Sequence, residues 1–155
     1  RQRQMCIRDR MANSAKKAGI DIEVIREPND GYWSNVWNND AKGWCACYWG
    51  GRPAETMMFS AAYVAESKWN DTSWKTTDSA VKFNQLVKDA RKELDENKKR
   101  DILFECQRLI YDDGGLLCPL FNSYVSANSK KIAHGKIAAN WDSDGAKCVE
   151  RWWFA

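Results

Sequence analysis

The sequence predicts an α/β layer architecture, and three observations carry that expectation. Apolar residues recur at helical spacing over 83–94 and 102–110, shorter runs at 20–25 and 44–49 read as strands, and a continuous apolar run follows a Gly-Gly pair at 114–115. Helices alternating with strands call for a sheet covered by helices.

Taken in order, Ala12 to Ala18 reads as the end of a helix with Gly19 as its stop, and Ile20 to Ile25 alternates as a strand that Pro28 breaks. Asp30 to Asn38 reads as a short helix carrying Tyr32, Trp33, Val36 and Trp37, and Trp44 to Trp49 as the next strand. Phe83, Leu86, Val87, Ala90 and Leu94 then line one face of an amphipathic helix. Lys82, Lys88, Asp89, Arg91, Lys92 and Glu93 occupy the other face. Asp95 stands where an N-cap belongs, because its carboxylate accepts from the free amides of the next turn and suits the positive helix end. The second helix carries Ile102, Leu103, Cys106, Leu109 and Ile110 on its apolar line, and Gly114 with Gly115 supplies the left-handed residue that closes it. Leu116 to Phe121 is too continuously apolar for an exposed edge and reads as a buried strand. There is no internal repeat and no low-complexity segment.

The run FNQLVKDARKELDENKKRDILFECQRLIYDDGGLLCPLFNSYVSA resembles the region near the C-terminus of the family 5 solute-binding proteins, the peptide and nickel receptors of bacterial ABC importers. The resemblance lies in the order of the helix pair, the Q-R-L-I segment, D-D-G-G and then a Pro-Leu-Phe strand. Upstream, AGIDIEVIREPNDGYWSNVW and CYWGGRPAETMMFSAAY look like the preceding part of such proteins, and NWDSDGAKCVERWWFA looks like their end. The resemblance implies the C-terminal lobe of a periplasmic-binding-protein-like (class II) two-lobed fold, incomplete in this chain. It assigns 11–124 to the ligand-binding lobe and 125–155 to a hinge strand and a return segment to the N-terminal lobe. It further implies a periplasmic or cell-surface lipoprotein setting, a monomer, transport of short peptides or similar small polar solutes, and ABC permease subunits as partners.

Residues 1–10 stand apart from that picture, since Met5 to Arg10 resembles a translated sequencing adapter; they are read as a non-native tail. The tail holds Arg1, Arg3, Arg8 and Arg10 against Asp9, a net of +3, and the whole chain is +3, so residues 11–155 sum to about zero. With no other Lys/Arg stripe, a nucleic-acid partner is not expected. No run is long and apolar enough to span a bilayer.

Of the six cysteines, Cys6 lies in the tail. Cys45 and Cys47 share a face of a strand-like run and could meet one metal or flank a pocket, but no nearby His or second Cys pair completes a tetrahedral set, so neither metal nor cofactor is expected. Cys106 and Cys118 read as small core hydrophobes. The single histidine, His134, lies in the polar stretch SKKIAHGK and reads as a surface loop. Gly50-Gly51 lacks a phosphate-loop pattern, and Asp112-Asp113 is accounted for by solvation of a helix end. No nucleophile, base and orienter can be nominated together, so an enzyme is not expected.

The distinctive feature is nine tryptophans, at 33, 37, 44, 49, 69, 74, 141, 152 and 153. Trp supplies large, stiff contact area with one hydrogen-bonding atom, which suits a pocket for varied ligands. Trp33, Trp37, Trp152 and Trp153 read as packing, whereas Trp49, Trp69 and Trp74, flanked by Gly, Asn, Asp and Ser, are candidate cleft residues. In the peptide-binding members that the chain resembles, a carboxylate just after the Pro of this region neutralises the ligand's α-amino group. Here the matching position is Thr56, with Glu55 directly before it, so Glu55 is the alternative anchor or a solvated first-turn Glu. Asp71 offers a second carboxylate or caps a turn, and Arg52 meets an acidic ligand group or Glu55. The reading from another class is a stand-alone Trp-rich carbohydrate-binding module, which would be rich in β-structure.

Overall fold

The structure, a computed structural model, describes residues 2–39 and 43–155. The chain forms two compact units, Arg1–Tyr48 and Trp49–Ala155. They part between Tyr48 and Trp49.

The first unit begins with α1 (Gln2–Lys17), which carries the tail-like residues from Gln2 onward in one helix with the helix end expected over Ala12 to Ala18, stopping one residue sooner at Lys17. Its end is a Schellman closure: Ile20 N–H donates to Ala15 O at 3.0 Å and Gly19 N–H to Lys16 O at 3.1 Å, with Gly19 at φ 79°. Gly19 is the stop that the sequence indicated. The short helix α2 (Asn29–Asn35) follows Pro28 and carries a chain of edge-on aromatic contacts. Trp33 lies 5.2 Å from Tyr32, 5.7 Å from Trp37 and 6.0 Å from Tyr48 between ring centroids.

The expected strands at 20–25 and 44–49 form no ladder. Residues 44–49 do alternate between exposed and half-buried, as an extended chain would, and within 20–25 only Ile22 and Val24 are half-buried. Alternation sets which side chains share a face, but a strand exists only where its N–H and C=O groups meet a neighbour's, and among the described residues no strand lies against either segment.

The second unit is built on α3 (Glu55–Ala62), α4 (Asp78–Lys92) and α5 (Glu96–Asp113). The α4–α5 hairpin follows its sequence signals closely. Phe83, Val87 and Ala90 are buried on α4, and Cys106, Leu109 and Ile110 on α5. Thr77 Oγ1 accepts from Ala80 N–H at 3.2 Å, and Asp95 Oδ1 accepts from Asn97 and Lys98 N–H at 2.9 and 3.1 Å. Gly115 at φ 66° turns the chain away after α5, as expected of the Gly-Gly pair. Leu94 departs from its place on the α4 stripe and is 92 % exposed, because Glu93 is already extended (ψ 125°) and the helix stops at Lys92.

The apolar run after Gly115 also differs from expectation. Leu116 packs on the core, but the rest of the run forms no strand and is exposed, with Phe121 at 95 %. Cys118, expected in the core, is exposed with it, whereas Cys106 is fully buried and its thiol is pushed up to about 11, chiefly by that burial. The described sheet is a two-stranded antiparallel ribbon of β1 (Ile132–His134) and β2 (Trp152–Phe154), with His134 opposite Trp152. His134 therefore belongs to a strand, not a surface loop. Between the strands lie α6 (Asp142–Ala146), a turn whose residues from Ser143 to Ala146 have positive φ, and α7 (Cys148–Arg151).

Candidate functional site

The core beneath the site is aromatic. Phe83 meets Phe59 at 5.6 Å and Trp74 at 5.1 Å between centroids. Trp74, expected at a cleft, is buried here, and its indole N–H donates to Asp113 Oδ2 at 2.8 Å and Thr77 Oγ1 at 2.9 Å. A tryptophan flanked by polar residues can still be a core residue when a carboxylate reaches its one polar atom.

That carboxylate is more than a solvated helix end. Asp113 Oδ2 also accepts from the Thr77 hydroxyl at 2.7 Å and from the Ser79 hydroxyl, tying the end of α5 to the start of α4. The hydroxyls of Ser79 and Thr77 and the Trp74 indole hold the Asp113 carboxyl below the usual carboxylate range. Because the folded pKa is lowered, this stabilisation is fully present above the unfolded value of about 3.9 and disappears as pH falls through the folded value. We expect melting temperature to fall below about pH 4 in the parent, and Asp113→Asn, which keeps the shape but not the charge, to flatten that dependence. Thermal melts between pH 6 and pH 2.5 check this; an identical acid limb in both proteins would refute it.

Asn70 forms a buried polar joint and is 1 % exposed. Its amide donates to the carbonyls of Trp74 at 3.0 Å and of Tyr63 and Val64 at 3.3 Å, while its Oδ1 accepts from the Thr72 hydroxyl at 3.2 Å. This turn places Asp71 toward the segment that enters the unit at Trp49. The Trp49 indole Nε1–H donates to Asp71 Oδ2 at 3.2 Å, so two of the sequence-nominated residues meet.

The Gly50-Gly51 step beside them is closely lined. A Cβ on Gly50 would lie 3.6 Å from both Trp141 Nε1 and Arg52 Nη1, and one on Gly51 would lie 3.6 Å from the Tyr124 hydroxyl. The Arg52 guanidinium curls back to donate to Gly50 O at 2.8 Å and makes no ion pair with Glu55. Trp49 thus meets Asp71, and the adjoining Gly50-Gly51 step of this rim is lined by Arg52 together with Tyr124 and Trp141, which sequence reasoning did not nominate. The signal for Trp141 was available in its setting, Asn140 before it and Asp142-Ser143-Asp144-Gly145 after it, a turn-rich flank like that of Trp49.

The other nominated residues lie elsewhere. Glu55 opens α3 and lines a shallow groove of about 440 Å³ with Lys99, Arg100, Leu103 and Phe104 of α5. Thr56 is half-buried in the first turn, where its carbonyl accepts from the Ser60 hydroxyl at 2.6 Å. Trp69 is exposed, its backbone N–H donating to Ser67 Oγ at 3.1 Å.

A buried carboxylate, Asp144, organises the ribbon. It accepts from Ala138 N–H at 2.6 Å and Trp152 Nε1 at 3.0 Å, and pairs with Arg151 at 3.0 Å. The Ala138 amide, and then Trp152 and Arg151, hold its carboxyl below the usual range. His134 packs on Trp152 at 5.1 Å, its Nδ1 2.9 Å from Gly135 O. Trp152 is half-buried and Trp153 exposed, so of the two only the first packs as expected. Among the described residues no three His, Cys, Asp or Glu side chains gather as a metal set, and no helix is long and apolar enough to cross a membrane.

No protein-family model matches the chain, and neither a curated protein nor a solved structure matches it.

Proposed function

We propose that the chain is a C-terminal lobe portion of the solute-binding component of a bacterial ABC importer, working in the periplasm or as a cell-surface lipoprotein. It captures short peptides or similar small polar solutes and hands them to membrane permease subunits. The observation that carries this reading is the rim at Trp49, where the indole N–H donates to the Asp71 carboxylate and the next two residues, Gly50 and Gly51, lie near Trp141, the Arg52 guanidinium and the Tyr124 hydroxyl. Flat aromatic faces accept varied side chains, and a carboxylate and a guanidinium suit the two ends of a zwitterion. Asp71 takes the anchoring role for the α-amino group that the resemblance places at Thr56, since Glu55 lies in the α5 groove with Lys99 and Arg100. Lobe closure would follow from contacts made only with ligand present. No covalent chemistry is involved.

The helical hairpin also supports this reading over a carbohydrate-binding module, which would rest on β-sheet where α3, α4 and α5 supply the core. Calorimetric titration with trialanine is the test. A charge-assisted hydrogen bond contributes about 1.5–3 kcal/mol, so Asp71→Asn is expected to weaken binding about tenfold to a hundredfold. N-acetylation of the peptide is expected to have a comparable effect. Binding of sugars or metal chelates with no response to a broad short-peptide library would overturn the peptide reading.

A further inference from the structure

A groove of about 330 Å³ runs where α3 and the turn after it meet α4, and it shares no residue with the Trp49 rim. Ser60 and Val64 line one side, and Asn84, Val87, Lys88 and Arg91 of α4 the other. Asn84, Lys88 and Arg91 are spaced by four and then three residues, which sets their side chains along one face of the helix. The Arg91 guanidinium is held in place. Its Nη2 donates to Ser60 Oγ at 2.7 Å, and the Ser60 hydroxyl donates in turn to Thr56 O at 2.6 Å. That uses one of the five N–H groups of the guanidinium, and among the described residues the others have no partner. Asn84 is oriented likewise: its Oδ1 accepts from Ala65 N–H at 3.0 Å, which leaves the amide NH2 with hydrogens to donate.

We infer that this groove binds the phosphate group of a small organic phosphomonoester. A guanidinium fork, an ammonium and an amide NH2 supply donors from separate points of one helix face, which suits a tetrahedral group with three acceptor oxygens. Two cations also match its charge of about −1.5 to −2 at neutral pH, where a single carboxylate would leave one of them unanswered. Volume selects the ester over the bare ion. The groove offers many times the space of one water, about 30 Å³, so room remains beside a phosphate group for an organic moiety against Val64 and Val87.

Glu66 also lines the groove and opposes an anion. Its carboxylate lies 3.8 Å from Lys88 Nζ, beyond hydrogen-bond distance, and the two side chains are 68 % and 58 % exposed. So loose and solvated a pair holds Lys88 weakly, and the ammonium can turn to a doubly charged ligand while Glu66 swings to water. Arg91 is the main contact, since Ser60 has already fixed its plane before any ligand arrives.

The test is calorimetric titration of the full chain with glycerol 3-phosphate, at fixed ionic strength in a phosphate-free buffer. One equivalent bound is the expected result, with inorganic phosphate several-fold weaker. Arg91→Gln is expected to weaken binding of the ester about tenfold to a hundredfold. Glu66→Gln is expected to tighten it about twofold to fivefold, the usual size of an exposed charge effect. Both side chains are exposed, so the helical circular dichroism signal should stay unchanged in each variant. Absence of saturation by about 10 mM, or undiminished binding in Arg91→Gln, would overturn the proposal. Inorganic phosphate matching the ester would overturn the assignment to an organic phosphate, and a Glu66→Gln variant that binds no more tightly would place the anion away from this groove.

Discussion

Replacing Phe83 with alanine is expected to destabilise the second unit by about 3–5 kcal/mol, the usual result of truncating a buried phenylalanine. Domains of this kind are stable by only about 5–15 kcal/mol in total, so the variant should lie near its unfolding threshold. The reason is position as much as size. Phe83 is 0 % exposed and joins Phe59 of α3 to Trp74 of the loop before α4, so the void opens where three segments meet. Collapse of that void is resisted by the Trp74 indole, which Asp113 and Thr77 hold in place. Urea unfolding followed by tryptophan fluorescence measures the loss directly, since Trp74 reports from 5.1 Å away. Leu94→Ala is the comparison: the residue is apolar but 92 % exposed, and its change should stay within about 0.5 kcal/mol. Equal losses in the two variants would mean that Phe83 is not the centre of the core.

The contrast between Phe83 and Leu94 shows what the sequence made legible. The α4 and α5 faces, the Asp95 cap and the Gly115 stop were readable because each depends on residues within a few positions of one another. Leu94 fits the period but fails because the chain turns extended at Glu93, one residue before it. The strands at 20–25, 44–49 and 116–121 were misread because apolar alternation reports a preference, and the partner that satisfies the backbone lies far away in sequence or is not in the described sheet. Asp113 and Trp74 were assigned apart, one to solvent and one to a cleft. Their bond spans residues 74 and 113, and nothing local signals it. The rim had the same difficulty. Trp49 and Asp71 stood out by their polar flanks, whereas Tyr124 and Trp141 reach Gly50-Gly51 only through the tertiary fold.

The second large effect is expected at Asn70, whose side chain ties together the end of α3 and the turn leading to Trp74. Truncation to alanine removes the donor for three carbonyls and the acceptor for Thr72, and the vacated space is closed to water. An orphaned buried polar group costs about 1–3 kcal/mol, so a loss of roughly 3 kcal/mol is expected once the carbonyls that can turn to solvent are discounted. Asn70→Asp separates hydrogen bonding from shape. The new carboxylate has the same outline, yet it faces the carbonyls of Tyr63, Val64 and Trp74 and is shielded from water. Both effects penalise the charged form and raise the folded pKa above the unfolded value of about 3.9. A raised carboxyl pKa means that the destabilisation grows as pH rises above about 4 and levels off above the folded value; acidification relieves it. Asn70→Asp should therefore approach the parent's stability toward pH 4 and lose most at pH 8, while Asn70→Ala stays offset by a near-constant amount. Denaturant midpoints for the three proteins at those two pH values decide the matter. Parallel pH profiles for Asn70→Asp and Asn70→Ala would show that the Asn70 amide is not held against those carbonyls in solution.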